Sequence, residues 1–158
     1  MERVQPVLVF AGRTVVGILL ALVFSVVGIG IGWAMFVFFG AVSHGTLLAL
    51  FMSGAGIGAG LGSYMAWLRV DRVPPWPVLL ALISALVLAG VGGAWGGFQL
   101  GANQEVECCV GPPITPITYT ALGATAVANA AALVMGIAQE IKARGGWIGL
   151  GTTAAVQR

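Results

Sequence analysis

The residues able to do chemistry are few, and most crowd into one stretch, Glu105-Val106-Glu107-Cys108-Cys109. Thiolates and carboxylates can ligate a metal, but zinc sites usually space their cysteines by about two to four residues, and these two are adjacent. Adjacency also strains a mutual disulfide. Consecutive Cα atoms lie about 3.8 Å apart, whereas a disulfide prefers about 5.5 Å. A disulfide at Cys108 and Cys109 is therefore easier to build to a partner chain in an oxidising exterior, and two loop thiols without a special role is the plainer reading. His44 stands alone in the turn Ser43-His44-Gly45-Thr46. It could act as a pH switch or bind a metal, but a lone exposed histidine usually has neither role.

Two polar residues sit in apolar surroundings. Glu140 lies just inside the end of an apolar run and has Lys142 and Arg144 beside it, as suits an interfacial residue whose charge reaches water. Asn129 is deeper, on the helical row Ala121, Thr125, Asn129. That row is expected to hydrogen-bond to another helix, for about 1 kcal/mol. A polar pore or ligand contact is the alternative, though no second amide lies at that depth to line a path. Paired carboxylates, a Ser/His/Asp set and a His/Glu metal motif are all missing from the sequence. No enzyme activity, cofactor or metal is expected.

The elements that position these residues are apolar to an unusual degree. Of 158 residues 59% are hydrophobic and 8% charged, against about 25% charged in soluble domains. The charges gather between apolar runs, the pattern of a polytopic membrane protein with lipid as its main solvent. A net charge of +2 without a basic cluster excludes a nucleic-acid partner. Twenty-five glycines without a Gly-X-Y period exclude collagen.

Four spans follow, at residues 14–39, 47–68, 78–98 and 119–141, each near or above the roughly 20 residues needed to cross the hydrocarbon. The first is too long for the h-region of a signal peptide of about 7–15 residues, so cleavage after Ala41-Val42-Ser43 is not expected. Pro74, Pro75 and Pro77 precede the third span and suit a linker running into a helix start. Residues 100–118 form the longest loop and the best place for surface chemistry. Residues 1–144 read as one transmembrane domain, and 145–158 as a loose tail.

All seven Lys and Arg residues fall on one side of this four-span drawing: Arg3 and Arg13, Arg69 and Arg72, then Lys142, Arg144 and Arg158. By the positive-inside rule that side is cytoplasmic, which places both termini inside and the loop 100–118 outside; a plasma (inner) membrane is the expected location. Trp67, Trp76 and Trp147 near the inner boundary, with Trp95 and Tyr119 near the outer one, fit aromatic belts.

The second span holds the most distinctive stretch, Gly54-Ala55-Gly56-Ile57-Gly58-Ala59-Gly60-Leu61-Gly62. On a helix, residues four apart share a row. Gly54, Gly58 and Gly62 make one row, Gly56 and Gly60 another, and Ala55, Ala59 and Ser63 a third. Only Ile57, Leu61 and Met65 carry bulk, which marks them as the lipid-facing row. Such a helix lets neighbouring backbones approach on several sides. Gly93 and Gly97 with Gly101 in the third span, and Ala124, Ala128, Ala132 and Gly136 in the fourth, are further small-residue rows.

The glycine-alternating stretch in a four-span chain of this length resembles the proteolipid (rotor-ring) subunits of rotary ATPases. That resemblance implies one carboxylate deep in a helix, carrying a proton or sodium ion. Spans two, three and four contain none, so the activity does not carry over. A phosphate-cradling loop is excluded too, because it needs a strand before the glycines.

The expectation is an all-α bundle of four transmembrane helices packed through Gly and Ala faces. Its partners are the lipid bilayer and other membrane subunits or further copies of itself. Its function is that of a non-enzymatic structural or accessory subunit, with a small homo-oligomeric channel or transporter as the alternative.

Overall fold

The computed structural model describes residues 4–40, 43–67, 75–103 and 116–143, with side chains described within 8–139. It contains four α-helices: α1 (Val4–Phe39), α2 (His44–Trp67), α3 (Trp76–Ala102) and α4 (Pro116–Ala143). Each includes a stretch long and apolar enough to cross a bilayer.

The helix ends extend past the apolar runs for local reasons. α1 begins ten residues before the expected span, because Val7 to Ala11 continue the apolar sequence and Pro6 sits in the first turn, where a missing N–H costs nothing. At 36 residues, α1 is about 54 Å long, well beyond the hydrocarbon thickness of about 30 Å. It therefore carries Arg13 inside the helix rather than ahead of it. Gly40, at φ +60°, ends it, a conformation that glycine adopts without steric cost. α2 starts three residues earlier than expected. Ser43 is its N-cap, accepting the Thr46 backbone N–H at Oγ (3.3 Å) and at its carbonyl oxygen (3.1 Å). His44 thus lies in the first turn of a helix and is exposed. In α3, Pro77 stands in the first turn and the Pro75 carbonyl accepts the Val78 and Leu79 N–H groups. α3 runs to Ala102 and α4 starts at Pro116, so the loop between them is shorter at both ends than 100–118.

Contacts between the helices run in opposite sequence directions. Gly32 meets Leu50, Gly28 meets Gly54, Phe24 meets Gly58, and Ala21 meets Gly62. Gly56 meets Val91 and Gly60 meets Val87; Gly93 meets Gly123 and Gly97 meets Tyr119. Each helix is therefore antiparallel to the next. α2 touches the other three helices, as does α4, while α1 and α3 do not meet among the described residues. The bundle has a short diagonal, α2 to α4, and a long one.

The core is made of small side chains. Ala21, Ala55, Ala59, Ala94, Ala124 and Ala128 are fully buried and form one cluster, flanked by Ile29 and Met52. The bulkiest side chains buried to that degree are Ser25 and Ser63. Leu86 is buried too, at 2% exposed, but many large apolar residues face outward instead, Leu8, Leu19, Val27, Phe38, Leu88 and Val134 among them. In water this distribution would leave a contiguous apolar surface far larger than a soluble monomer shows. In lipid it is the low-energy arrangement, because tails solvate leucine and valine as well as a protein core does.

Candidate functional site: the helix-packing surfaces and the buried polar residues

The residues singled out in the sequence fall into two groups. The first is the glycines. On α2, the row Gly54, Gly58, Gly62 lies against α1. A methyl group built on Gly54 would overlap the Gly28 carbonyl, one on Gly58 the Phe24 carbonyl, and one on Gly62 would sit 2.7 Å from the Ala21 backbone. The row Gly56, Gly60 lies against α3, where an added Cβ would overlap the Val91 backbone or stand 2.8 Å from the Val87 nitrogen. Ala55, Ala59 and Ser63 are fully buried, whereas Ile57, Leu61 and Met65 are exposed. All three small rows of α2 are thus occupied from within this chain. On α3, Gly93 and Gly97 meet α4: a Cβ on either would overlap the Gly123 or Tyr119 carbonyl.

Four glycines within the helices do the reverse. Gly12 and Gly30 on α1, and Gly92 and Gly96 on α3, have nothing within 4 Å of where a Cβ would stand. Gly92 and Gly96 are four residues apart and share a helical row. On that side of α3, Leu88 and Trp95 are exposed, at 71% and 59%.

The second group is polar. Asn129 is 6% exposed, and its Nδ2 donates to the Thr125 carbonyl one turn back (2.9 Å). That bond commits the amide, so Oδ1 is turned toward α1, where a Cβ on Gly17 would come within 2.6 Å of it. Sequence reasoning expected a hydrogen bond from this row to another helix. The amide bonds its own helix instead: the Thr125 carbonyl is within reach one turn back, and α1 presents Gly17, without a side chain, at that point. Ala128, one residue earlier, is fully buried in the alanine cluster.

Sequence reasoning put Ser63 in a small-residue row and Trp67 in the inner aromatic belt, and gave no polar role to either or to Ser25. Ser25 and Ser63 are fully buried. Their Oγ atoms, Thr125 Oγ1, Trp67 Nε1 and Asn129 Oδ1 are buried without a hydrogen-bond partner among the described residues. Trp67 packs edge-on against Phe10, with ring centroids 4.9 Å apart, and its ring covers Gly136. Nothing in the sequence separates these serines from Ser53 or Ser84; only the rows they share with Ala21 and Ala59 hint at burial.

Cys108, Cys109, Glu105 and Glu107 lie outside the described residues, as does the side chain of Glu140. Among the described residues no three His, Cys, Asp or Glu side chains cluster as metal ligands would. No known protein family, no curated protein and no solved structure matches this chain.

Proposed function

We propose that this chain is a non-enzymatic integral membrane protein that serves as a structural or accessory subunit of a membrane complex, assembled by glycine-mediated helix packing. The observation that carries this reading is the outward row Gly92 and Gly96 on α3, open to the surroundings with Leu88 and Trp95 beside it. A glycine facing lipid leaves backbone uncovered and contributes no side-chain contact. The same GxxxG spacing facing another helix allows close backbone approach. The inward glycine rows, including the zipper-like Gly54, Gly58 and Gly62, serve the bundle itself. In this reading the membrane is the plasma (inner) membrane, and the helix ends near Arg13, Trp67 and Trp76 face the cytoplasm together with both termini.

Blue-native electrophoresis of native membranes in mild detergent tests the proposal. The wild type is expected in an assembly several times its own 16.1 kDa mass, and Gly92→Leu with Gly96→Leu is expected to return it to a monomer that still folds. Migration of the wild type as a monomer would overturn it. Reporter fusions at the C-terminus and within 104–115 test the orientation: the first is expected to report cytoplasm and the second exterior.

A second reading, a small homo-oligomeric channel or transporter, is favoured by the buried unpartnered polar atoms, since polar groups inside membrane bundles often mark solute paths. Flux of common ions and small solutes through proteoliposomes of pure protein decides it, and absence of flux would sink it.

A further inference from the structure

Among the described residues, five buried polar atoms have no partner, Ser25 Oγ, Ser63 Oγ, Trp67 Nε1, Thr125 Oγ1 and Asn129 Oδ1; they belong to α1, α2 and α4, and none to α3. Their depths follow from the contacts around them. Trp67 lies at the α2 end, over Gly136 and beside Phe10. One residue inward, Ala66 and Asn129 both meet Gly17. Ser63 follows Gly62, which packs on Ala21, and the Ser25 nitrogen stands against Gly58. From Trp67 to the level of Gly58 is about 14 Å along α2 at 1.5 Å per residue. The polar atoms are therefore graded from one end of the bundle toward its middle. Ser25 and Ser63 share rows with the fully buried core alanines Ala21 and Ala59, and Thr125 and Asn129 share one with the nearly buried Ala121.

Other hydroxyls of the same helices are satisfied locally. Thr14 donates to the Phe10 carbonyl (3.0 Å), Ser53 to the Ala49 carbonyl (2.7 Å), and Thr120 to the Pro116 carbonyl (2.8 Å). Thr120 is as buried as Thr125, so burial alone does not leave a hydroxyl unpartnered. In a bilayer an unpaired polar group has no bulk solvent to turn to, so leaving it unpaired is costly. Buried groups of this kind are ordinarily met by ordered water, which needs two to four polar partners. The track also has the chemistry for a neutral guest. Three hydroxyls both donate and accept, the amide oxygen accepts, and the indole N–H donates. Half-buried Arg13 stands one turn before Gly17 on the α1 row of Ser25, at the bundle end; no charged side chain lies deeper on these rows among the described residues to offset the desolvation of an ion.

We propose that the α1/α2/α4 junction is a water-binding track that runs from Trp67 at the bundle end to Ser25 near its middle. Bound water completes the hydrogen bonding of Asn129, Ser63, Thr125 and Ser25, while the α3 side of the bundle stays dry. The track fits either functional reading.

Water-edited solid-state NMR on isotope-labelled wild-type protein in liposomes tests it, with water as the probe. At short mixing times, magnetisation reaching Ser25, Ser63, Thr125 and Asn129 is expected to exceed that at Thr120, Ala55 and Ala124 by about threefold or more. Equal, slow build-up at all of them would overturn the track and mean that these hydroxyls bond back to their own helices as Thr120 does. In Ser63→Ala with Thr125→Val, transfer to Asn129 is expected to fall while transfer to exposed Gln99 is unchanged; undiminished transfer to Asn129 would overturn a shared track. The wild-type measurement stands whether or not the variant folds, and it does not depend on whether the protein belongs to a larger assembly.

Discussion

Gly96 and Gly97 are neighbours in the sequence and opposites in the structure. Gly97 lies so close to α4 that a methyl group would overlap the Tyr119 carbonyl, while Gly96 has nothing within 4 Å of the same position. The two point about 100° apart around one helix, because an α-helix turns that far per residue. The same residue type is therefore doing two jobs on α3. Inside, glycine sets how near two backbones can come. Outside, it leaves a notch whose use depends on what lies beyond this chain. The α2 helix shows the inside job on two sides at once, against α1 and against α3, and keeps its one bulky row for the lipid.

The inside role is most exposed to disruption at Gly58. A leucine there must displace the Phe24 backbone on α1. A loss of about 3 kcal/mol or more is expected, at or beyond the upper end of usual overpacking costs, and thermal or denaturant unfolding in detergent micelles will read it. Gly97→Ala adds only one methyl group, but against a carbonyl that cannot swing aside. About 1–3 kcal/mol of destabilisation is expected in the same assay. Gly96→Ala is the matched control one residue away. With open space around it, the change is expected to be neutral, or to stabilise the isolated bundle by up to about 1 kcal/mol through helix propensity. If Gly96→Ala and Gly97→Ala cost the same, the inside–outside distinction fails. The smallest effect is expected for Ile57→Leu on the exposed row of α2, below about 1.5 kcal/mol. Equal tolerance of Gly58→Leu and Ile57→Leu would mean that the bare rows of α2 do not pack against other helices.

The polar junction and the dry side of the bundle make a second contrast. α3 meets its neighbours through Gly56, Gly60, Gly90, Gly93 and Gly97, with Ala94 fully buried between them. No unpartnered polar atom occurs on it among the described residues. α1, α2 and α4 meet around Ser25, Ser63, Thr125 and Asn129. Small residues permit close packing in both places, but only the second leaves hydrogen-bonding capacity unused.

The apolar runs by themselves determined the number and kind of helices. A stretch such as Val78 to Phe98, uncharged and bounded by prolines and polar loops, has no stable alternative in lipid to a helix that satisfies its own backbone. The outward placement of Ile57, Leu61 and Met65 was legible for a similar reason, since they form the one bulky row through a glycine stretch otherwise bare. The helix ends were less legible. Thr14 looked like a beginning because Arg13 preceded it, yet a charge in a long helix is tolerated where its side chain reaches the interface. Ser43 to Thr46 read as a turn, although a serine before an apolar run is also an N-cap signal.

Tertiary structure alone decided which glycine row met which helix, and which rows met nothing. Every small row on α2 and α3 is equivalent in the sequence; only the order and crossing of the helices separates Gly93 from Gly92. It alone also separated Thr125 from Thr120. Both hydroxyls sit one turn past a backbone carbonyl, but Thr120 donates to the one behind it, at Pro116, while Thr125 Oγ1 is buried without a partner among the described residues. Row periodicity says which residues share a face, and the neighbouring helix decides whether that face is packed, wet or bare.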